Sequence, residues 1–300
     1  MLPVLFGISL VVFFLIHAIP GNPADILLGE KGTEPRIKVL EHKLGLDRSL
    51  PIQYLYFLKN IFSGTLGTSF VDHLPVRDLI LGRLPITGML LAGAILFSLI
   101  ISVPLAILAA SREGGLRDQV VRVIPIIGLG MPQVWVGIML LLFFGLKFPL
   151  FPVSGFGNTV PEHIRSMVLP SLTIAISLSP ILIRSLRASM LELLESDFVL
   201  LARSKGLRSS RINIAHLLRN AMIASITVLG INVAYIVGSA VVVERVFAIP
   251  GTGTLLIDAI GRRDYPVVQG TTLYIAVAVV LTNLITDLLH AALDPRVAIK

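Results

Sequence analysis

Six stretches of this chain carry no Asp, Glu, Lys or Arg: residues 1–24, 84–111, 123–146, 166–183, 220–243 and 265–286. Crossing about 30 Å of hydrocarbon takes roughly 17 to 25 helical residues. Each stretch is therefore long enough to span a bilayer, the fourth, at 18 residues, by the narrowest margin. Only 14% of the chain is charged, against roughly 25% in soluble domains, which excludes an ordinary water-soluble fold. The expectation is an all-α polytopic membrane protein, a single transmembrane domain over 1–300. Its six transmembrane helices lie at about 2–20, 87–111, 121–146, 167–184, 220–243 and 267–290. Residues 21–86 form a cap on one side, and 185–219 a long connection on the other.

Cysteine is absent, which removes thiolate catalysis, disulfides and cysteine metal sites together. The net charge of +7 lies between the hydrophobic spans, where basic residues set orientation rather than mark a nucleic-acid surface. Connections 112–122 and 184–219 hold ten Lys/Arg in 47 residues, whereas 147–165 and 244–264 hold five in 40. By the positive-inside rule the N-terminus and the first two connections are cytoplasmic, and the cap is extracytoplasmic. The first apolar run, Val4 to Ile19, ends in Pro20-Gly21-Asn22-Pro23 without a small-x-small cleavage site, and reads as a retained helix.

Thr33 is placed to cap a helix with Pro35 in its first turn and Gly45 after its end; Pro51 opens a second helix that Gly64 terminates. Tyr54, Leu55, Leu58, Ile61 and Phe62 recur at helical spacing and predict one apolar face. A third short helix is expected from Pro75 to Arg83. Such a folded cap suits docking of an extracytoplasmic partner; a cap that only packs on its own helices is the alternative.

On the cytoplasmic side, Leu191, Leu194, Phe198, Leu201 and Ala202 fall on one helical face, with Arg187, Glu192, Glu195, Asp197 and Arg203 on polar ones. Gly206 interrupts the pattern, and Ser209 or Ser210 is placed to cap a following helix. The expected shape is helix, glycine turn, short helix. Two readings stand on this pattern: a projection gripped by a partner's groove, or a basic segment lying on anionic lipid.

The run Asp197-Phe198-Val199-Leu200-Leu201-Ala202-Arg203-Ser204-Lys205-Gly206-Leu207 resembles the cytoplasmic coupling loop of ABC importer membrane subunits. It is most similar to the D-Y-V-x-x-A-R-A-K-G-L form of dipeptide, oligopeptide and nickel permeases. Arg219-Asn220-Ala221 matches that family's R-N-A. Of the broader importer signature, Gly206 and Leu218 fit, while Leu200-Leu201-Ala202 replaces E-A-A and His216 and Arg219 replace Ile and Pro. Elsewhere Ile19-Pro20-Gly21-Asn22-Pro23 resembles L-P-G-D-P, and Met131-Pro132-Gln133-Val134-Trp135 resembles M-P-x-F-W. Val243-Glu244-Arg245-Val246-Phe247, Pro250-Gly251-Thr252-Gly253, Arg263-Asp264-Tyr265-Pro266-Val267-Val268-Gln269-Gly270 and Leu293-Asp294-Pro295-Arg296 follow in the family's order. The chain is identified on these residues as the first of two paired membrane subunits of a peptide-type ABC importer.

That resemblance implies a type I (MetI-like) transmembrane domain in the bacterial inner membrane. Implied partners are a second homologous permease subunit, two cytoplasmic ATPase subunits and an extracytoplasmic solute-binding protein. ATP and Mg are expected on the ATPases, with no cofactor or metal on this chain. Asp197, Ala202, Arg203, Lys205, Gly206, Leu207, Arg208 and Leu218 are the implied ATPase-coupling residues.

The residues themselves agree with a passive gate. No G-x-x-x-x-G-K-[ST] occurs, so this chain is not expected to hydrolyse ATP. Besides His17 near one end, the six uncharged stretches hold no ionisable acid or base, which argues against proton or sodium coupling. An intramembrane protease would need a nucleophile with a base, paired aspartates or H-E-x-x-H within the spans, and none is present. A channel or secondary transporter offers no account of the 36-residue cytoplasmic connection. The expected mechanism is alternating access, with the turn at Gly206 moving as a stiff lever.

Candidate pathway residues are the polar groups within the spans: Asn232, Tyr235 and Ser239, then Thr271, Thr272, Tyr274 and Asn283, and earlier Ser98, Ser102 and Gln133. Interhelical hydrogen bonding is their competing role. Trp135, mid-span, reads as packing, and Pro104, Pro125, Pro132 and Pro180 as kinks. Pro250, Gly251, Gly253, Arg263 and Asp264 form a candidate outer gate or binding-protein docking edge, with a plain capped surface loop as the alternative. Solute identity stays open among dipeptides, longer peptides, glutathione and nickel chelates, because in this family a separate binding protein selects it.

Overall fold

The computed structural model describes residues 2–18, 24, 28, 33–110, 114–205 and 219–293. The described helices are α1 (Leu2–Ala18), α2 (Glu34–Leu44), α3 (Leu50–Phe62), α4 (Val76–Ala110), α5 (Leu116–Gly130), α6 (Gln133–Leu140, continued by a π-helical turn, Leu141–Lys147) and α7 (Val160–Leu194). They continue with α8 (Asp197–Ser204), α9 (Arg219–Ile231), α10 (Val233–Val246), α11 (Thr252–Gly261) and α12 (Tyr265–Leu293). Two compact units emerge, Met1–Thr87 with Pro250–Val280, and Gly88–Ile249 with Leu281–Lys300, so that α4 and α12 contribute to both.

In the first unit the cap helices start and stop where the sequence signals them. Gly45 takes the left-handed conformation (φ 70°) that closes α2, its N–H and that of Leu46 donating to the carbonyls of His42 and Glu41. The apolar face of α3 is rotated from the expected one. Phe57 is buried, Tyr54 and Ile61 are half-buried, and Leu55 and Phe62 point outward, Phe62 being 86% exposed. The reason is an aromatic joint with α1: Phe13 meets Tyr54 edge-on at 5.2 Å, and the Tyr54 hydroxyl lies 2.9 Å from Ser9 Oγ. Val12, Val76, Ile80, Leu255, Ala259, Tyr265, Val267 and Val268 form the core of this unit. The separate helix expected at Pro75 to Arg83 is corrected, because that segment opens α4, which runs on for 35 residues. At 1.5 Å per residue α4 is about 52 Å long, well beyond the bilayer core.

In the second unit the shortest uncharged stretch lies in the most buried helix. It occupies the middle of α7, whose buried positions run from Ser166 to Met190. Small hydroxyl residues make this possible: Thr173 and Ser179 donate to carbonyls one turn back, at 2.8 and 2.6 Å, while Ser171 donates to the Leu90 carbonyl of α4 at 3.2 Å. Neighbours approach closely, since a Cβ on Gly93 would stand only 2.4 Å from Ser171 Oγ. The start of α7 is closed by a capping box between Thr159 and Glu162.

Among the described residues three helices are long and apolar enough to cross a membrane, Val76–Ala110, Val160–Leu194 and Tyr265–Leu288, and two bent pairs bring the number to five if each pair is one span. One pair, α5 with α6, bends by 102° before Pro132; the other, α9 with α10, bends by 59° at Asn232. Of the four expected proline kinks, Pro132 stands at a break, whereas Pro104, Pro125 and Pro180 lie inside continuous helices.

Candidate functional site

Helix α7 ends at Glu195, and after Ser196 the chain starts α8 with Asp197, exposed and in the first turn, where a carboxylate favours the helix dipole. This break resets the helical phase. Val199 becomes the anchor, fully buried with Ala106 and Ala110 of α4, Leu186 and Met190 of α7 and Ala221 of α9, while Leu201 turns outward. The expected single apolar face through Leu191, Leu194, Phe198, Leu201 and Ala202 is corrected at Leu201, which the break turns toward the exposed side. Lys205 is exposed in the turn that follows, its N–H donating to the Leu201 carbonyl. Ala202 and Arg203 belong to α8, whereas Gly206, Leu207, Arg208 and Leu218 lie outside the described residues.

The base of this segment carries a buried ionic joint that the sequence reading did not single out. Asp118, in the first turn of α5, is 0% exposed. It accepts hydrogen bonds from Arg187 of α7 (Nε 2.6 Å, Nη2 2.9 Å), from Arg122 Nη2 (2.7 Å) and from the Gly114 N–H (3.0 Å). Two charge-assisted arms and two further donors satisfy a carboxylate that burial alone would penalise. The i, i+4 spacing of Asp118 and Arg122 was a readable signal; the reach to Arg187 was not.

In the first unit the 244–264 connection is held by its buried groups. Asp264 is buried, and its carboxylate accepts from Ser69 Oγ and from the N–H groups of Phe70 (3.0 Å) and Val71 (3.4 Å). Gly251 and Gly253 are likewise buried, and Thr252 N–H donates to Thr87 Oγ1 at 2.9 Å. Pro250 is exposed, and Arg263, half-buried, adopts φ 52° in the turn before α12. Arg262, beside it, faces Asp72 at 3.6 Å.

The pathway candidates divide by environment. Asn232 is engaged at its helix bend, where Nδ2 donates to the Val228 carbonyl at 2.8 Å. Ser98 and Ser102 are buried donors to the Ile95 and Ser179 carbonyls. Ser239 is buried, Tyr235 and Asn283 are exposed and Thr272 is half-buried. Tyr274 packs against the apolar core of the first unit. Gln133 Nε2 and Thr271 Oγ1 are buried without a hydrogen-bond partner. Trp135 is 47% exposed, because α6 turns Val136 and Gly137 inward; the packing role expected for it is corrected. Among the described residues no group of three His, Cys, Asp or Glu is gathered for a metal.

Comparison with known proteins matches the chain to one family. Residues 102–299 match the family described as "Binding-protein-dependent transport system inner membrane component", and residues 1–92 match its N-terminal counterpart. The chain is 35% identical to the dipeptide transport system permease protein DppB of Escherichia coli (strain K12), covering 100% of this chain and 96% of the relative. It is also 35% identical to the oligopeptide transport system permease protein AppB of Bacillus subtilis (strain 168), over 99% of this chain and 96% of that one. A third relative, the glutathione transport system permease protein GsiC of Pectobacterium atrosepticum, is 34% identical at 100% and 96% coverage. Among solved structures, an inward-facing MetNI methionine ABC transporter chain matches with TM-score 0.60 and 16% identity, over 73% of this chain and 98% of that one, a likeness of fold. The chain belongs to the family of binding-protein-dependent transport system inner membrane components, the multi-pass permeases of ABC importers.

Proposed function

We propose that this permease forms half of a translocation pathway for peptides or related small solutes, delivered by an extracytoplasmic binding protein. A second homologous permease subunit completes the pathway, and two cytoplasmic ATPase subunits, carrying ATP and Mg, drive it through the 185–219 connection. The names of the relatives, dipeptide, oligopeptide and glutathione permeases, support the solute class. In this reading α1, 17 residues and about 26 Å long, is the sixth span, with the N-terminus in the cytoplasm and 21–86 as the outer cap.

One observation carries the coupling role: α8 is seated by Val199 against α4, α7 and α9 together, so a force on this short helix reaches three other helices at once. A stiff seat transmits displacement where a flexible loop would absorb it. Asp197, Ala202, Arg203 and Lys205 sit on or beside α8, and Gly206, Leu207, Arg208 and Leu218 complete the proposed coupling set. Pro250, Gly251, Gly253 and Arg263 belong to the proposed outer gate, and Gln133, Tyr235, Ser239, Thr271 and Tyr274, with Asn232 at the bend, to the proposed pathway.

Reconstitution in proteoliposomes tests the reading. The lone chain is expected to move no solute and consume no nucleotide, and the complete assembly to take up peptide only with ATP and binding protein. Gly206→Asp is expected to assemble normally and hydrolyse ATP without uptake. Solute flux by the lone chain, or normal uptake by the Gly206 variant, refutes the proposal.

A further inference from the structure

A cavity of about 860 Å³ opens within the first unit, between the cap helices, the 66–73 loop and the start of α12. Its size lies within the roughly 300 to 1,000 Å³ typical of small-molecule sites. Its walls differ in character. Phe13, Phe57, Phe70 and Tyr265 supply aromatic surface, while Lys43, Arg48 and His73 supply basic groups, and among the described residues no Asp or Glu lines it.

The nearby carboxylates have partners of their own. Asp47 is 2.6 Å from His42 Nδ1, and that hydrogen bond, with a smaller electrostatic contribution from Arg48, holds its carboxyl below the usual range. Asp72 faces Arg262, and Asp264 is taken up by Ser69, Phe70 and Val71. Among the described residues Lys43, Arg48 and His73 make no ion pair with a carboxylate. Arg48 is instead stacked over the Tyr56 ring, its guanidinium carbon 4.4 Å from the centroid, which fixes the cation at the cavity edge. Gln53 holds the adjoining turn by donating to the carbonyls of Leu46 and Arg48.

Backbone strain concentrates on the same wall. Leu66 and His73 both adopt positive φ, at 57° and 55°, two of the four non-glycine residues that do so among those described. Such conformations persist where the surroundings enforce them, and they cluster at ligand sites.

We propose that this cavity binds a single anionic group, carboxylate or phosphate, carried on an apolar body, with Lys43 and Arg48 taking the charge and the aromatic wall taking the body. Two sources offer that chemistry: a short solute with a free carboxylate, and an anionic lipid whose phosphate enters from the membrane surface. The inference stands on the cavity alone and does not require the transport reading.

The test uses the full-length chain with its co-purifying subunits in nanodiscs. In the first arm, discs of phosphatidylcholine alone are titrated calorimetrically with N-acetyl-Ala-Phe and with its C-terminal amide. In the second, discs containing phosphatidylglycerol are examined by native mass spectrometry for retained lipid. The acid is expected to bind about tenfold tighter than the amide, or phosphatidylglycerol to be retained, the scale of one charge-assisted contact. Lys43→Gln with Arg48→Gln removes the response, and Lys38→Gln, exposed on the same helix but outside the lining, preserves it. If the double variant fails to fold, Lys43→Gln alone serves. A response in the first arm identifies a soluble carboxylate, and one in the second a lipid phosphate. Equal binding of acid and amide with no lipid retained, or a response that survives the double variant, overturns the proposal.

Discussion

Arg187 grips Asp118 with both arms of its guanidinium, Nε reaching Oδ1 at 2.6 Å and Nη2 reaching Oδ2 at 2.9 Å, across 69 residues of sequence. The pair ties the first turn of α5 to α7 just before α7 gives way to α8. The fork is largely enclosed, since the Arg187 side chain is 17% exposed and that of Asp118 0%.

Removing one partner from such a joint leaves an uncompensated buried charge. Asp118→Ala strands Arg187, and a loss of about 3 kcal/mol is expected. Arg122→Ala removes a bond whose cation is 53% exposed, and should cost about 0.5 kcal/mol. Thermal unfolding of the two purified variants in one detergent checks the ranking; equal losses would show that the fork is not what holds these helices.

The Asp264 joint predicts a local rather than a global effect. Asp264→Ala leaves the Phe70 N–H without its acceptor in a partly buried setting, at about 1 kcal/mol, while the Val71 N–H keeps Ser69 Oγ at 3.2 Å. Arg262→Ala only loosens an exposed 3.6 Å contact with Asp72, worth about 0.5 kcal/mol or less. Limited proteolysis should therefore cut the 69–73 loop faster in the Asp264 variant, with the Arg262 variant close to the parent.

The long apolar helices were legible because lack of charge over a bilayer's width is a one-dimensional property, and helix stops such as Gly45 announce themselves locally. What the sequence hid depends on phase and on distance. Val199 looked like one residue of a continuous helix until the break at Glu195 and Ser196 turned it inward and Leu201 outward. Asp264 looked like a surface charge beside Arg262 and Arg263, because its true partners, Ser69 to Val71, lie nearly 200 residues away. Asn232 was legible as a polar group within a span, but not its hydrogen bond to the Val228 carbonyl at the helix bend.

Close helix approach gives a third expectation. A Cβ on Gly230 would lie 2.0 Å from Thr286 Cγ2 and 2.7 Å from its Cβ, so Gly230→Ala should cost about 1 to 3 kcal/mol. Gly238, with nothing within 4 Å, tolerates the same change and gains helix propensity of up to about 1 kcal/mol. Adding Thr286→Ala to Gly230→Ala should recover part of the loss, because Cγ2 is gone while the Cβ remains close. A double-mutant cycle on thermal stability reads the interaction directly.

The seat of α8 separates folding from coupling. Val199→Ala removes two buried methyl groups, about 1.6 kcal/mol of transfer free energy, from a cluster shared by α4, α7, α8 and α9. That loss leaves the protein folded but frees the short helix to rock on its support. If α8 transmits motion, the reconstituted assembly should keep its basal ATP hydrolysis and lose most of the stimulation that binding protein and solute provide. Leu201→Ala, on the exposed side of the same helix, tests the other half of the idea: it leaves the seat intact and weakens only what grips the helix from outside, so the ATPase subunits should co-purify less well. A Val199 variant with full stimulation, or a Leu201 variant with unchanged partner retention, would show that force enters the permease elsewhere.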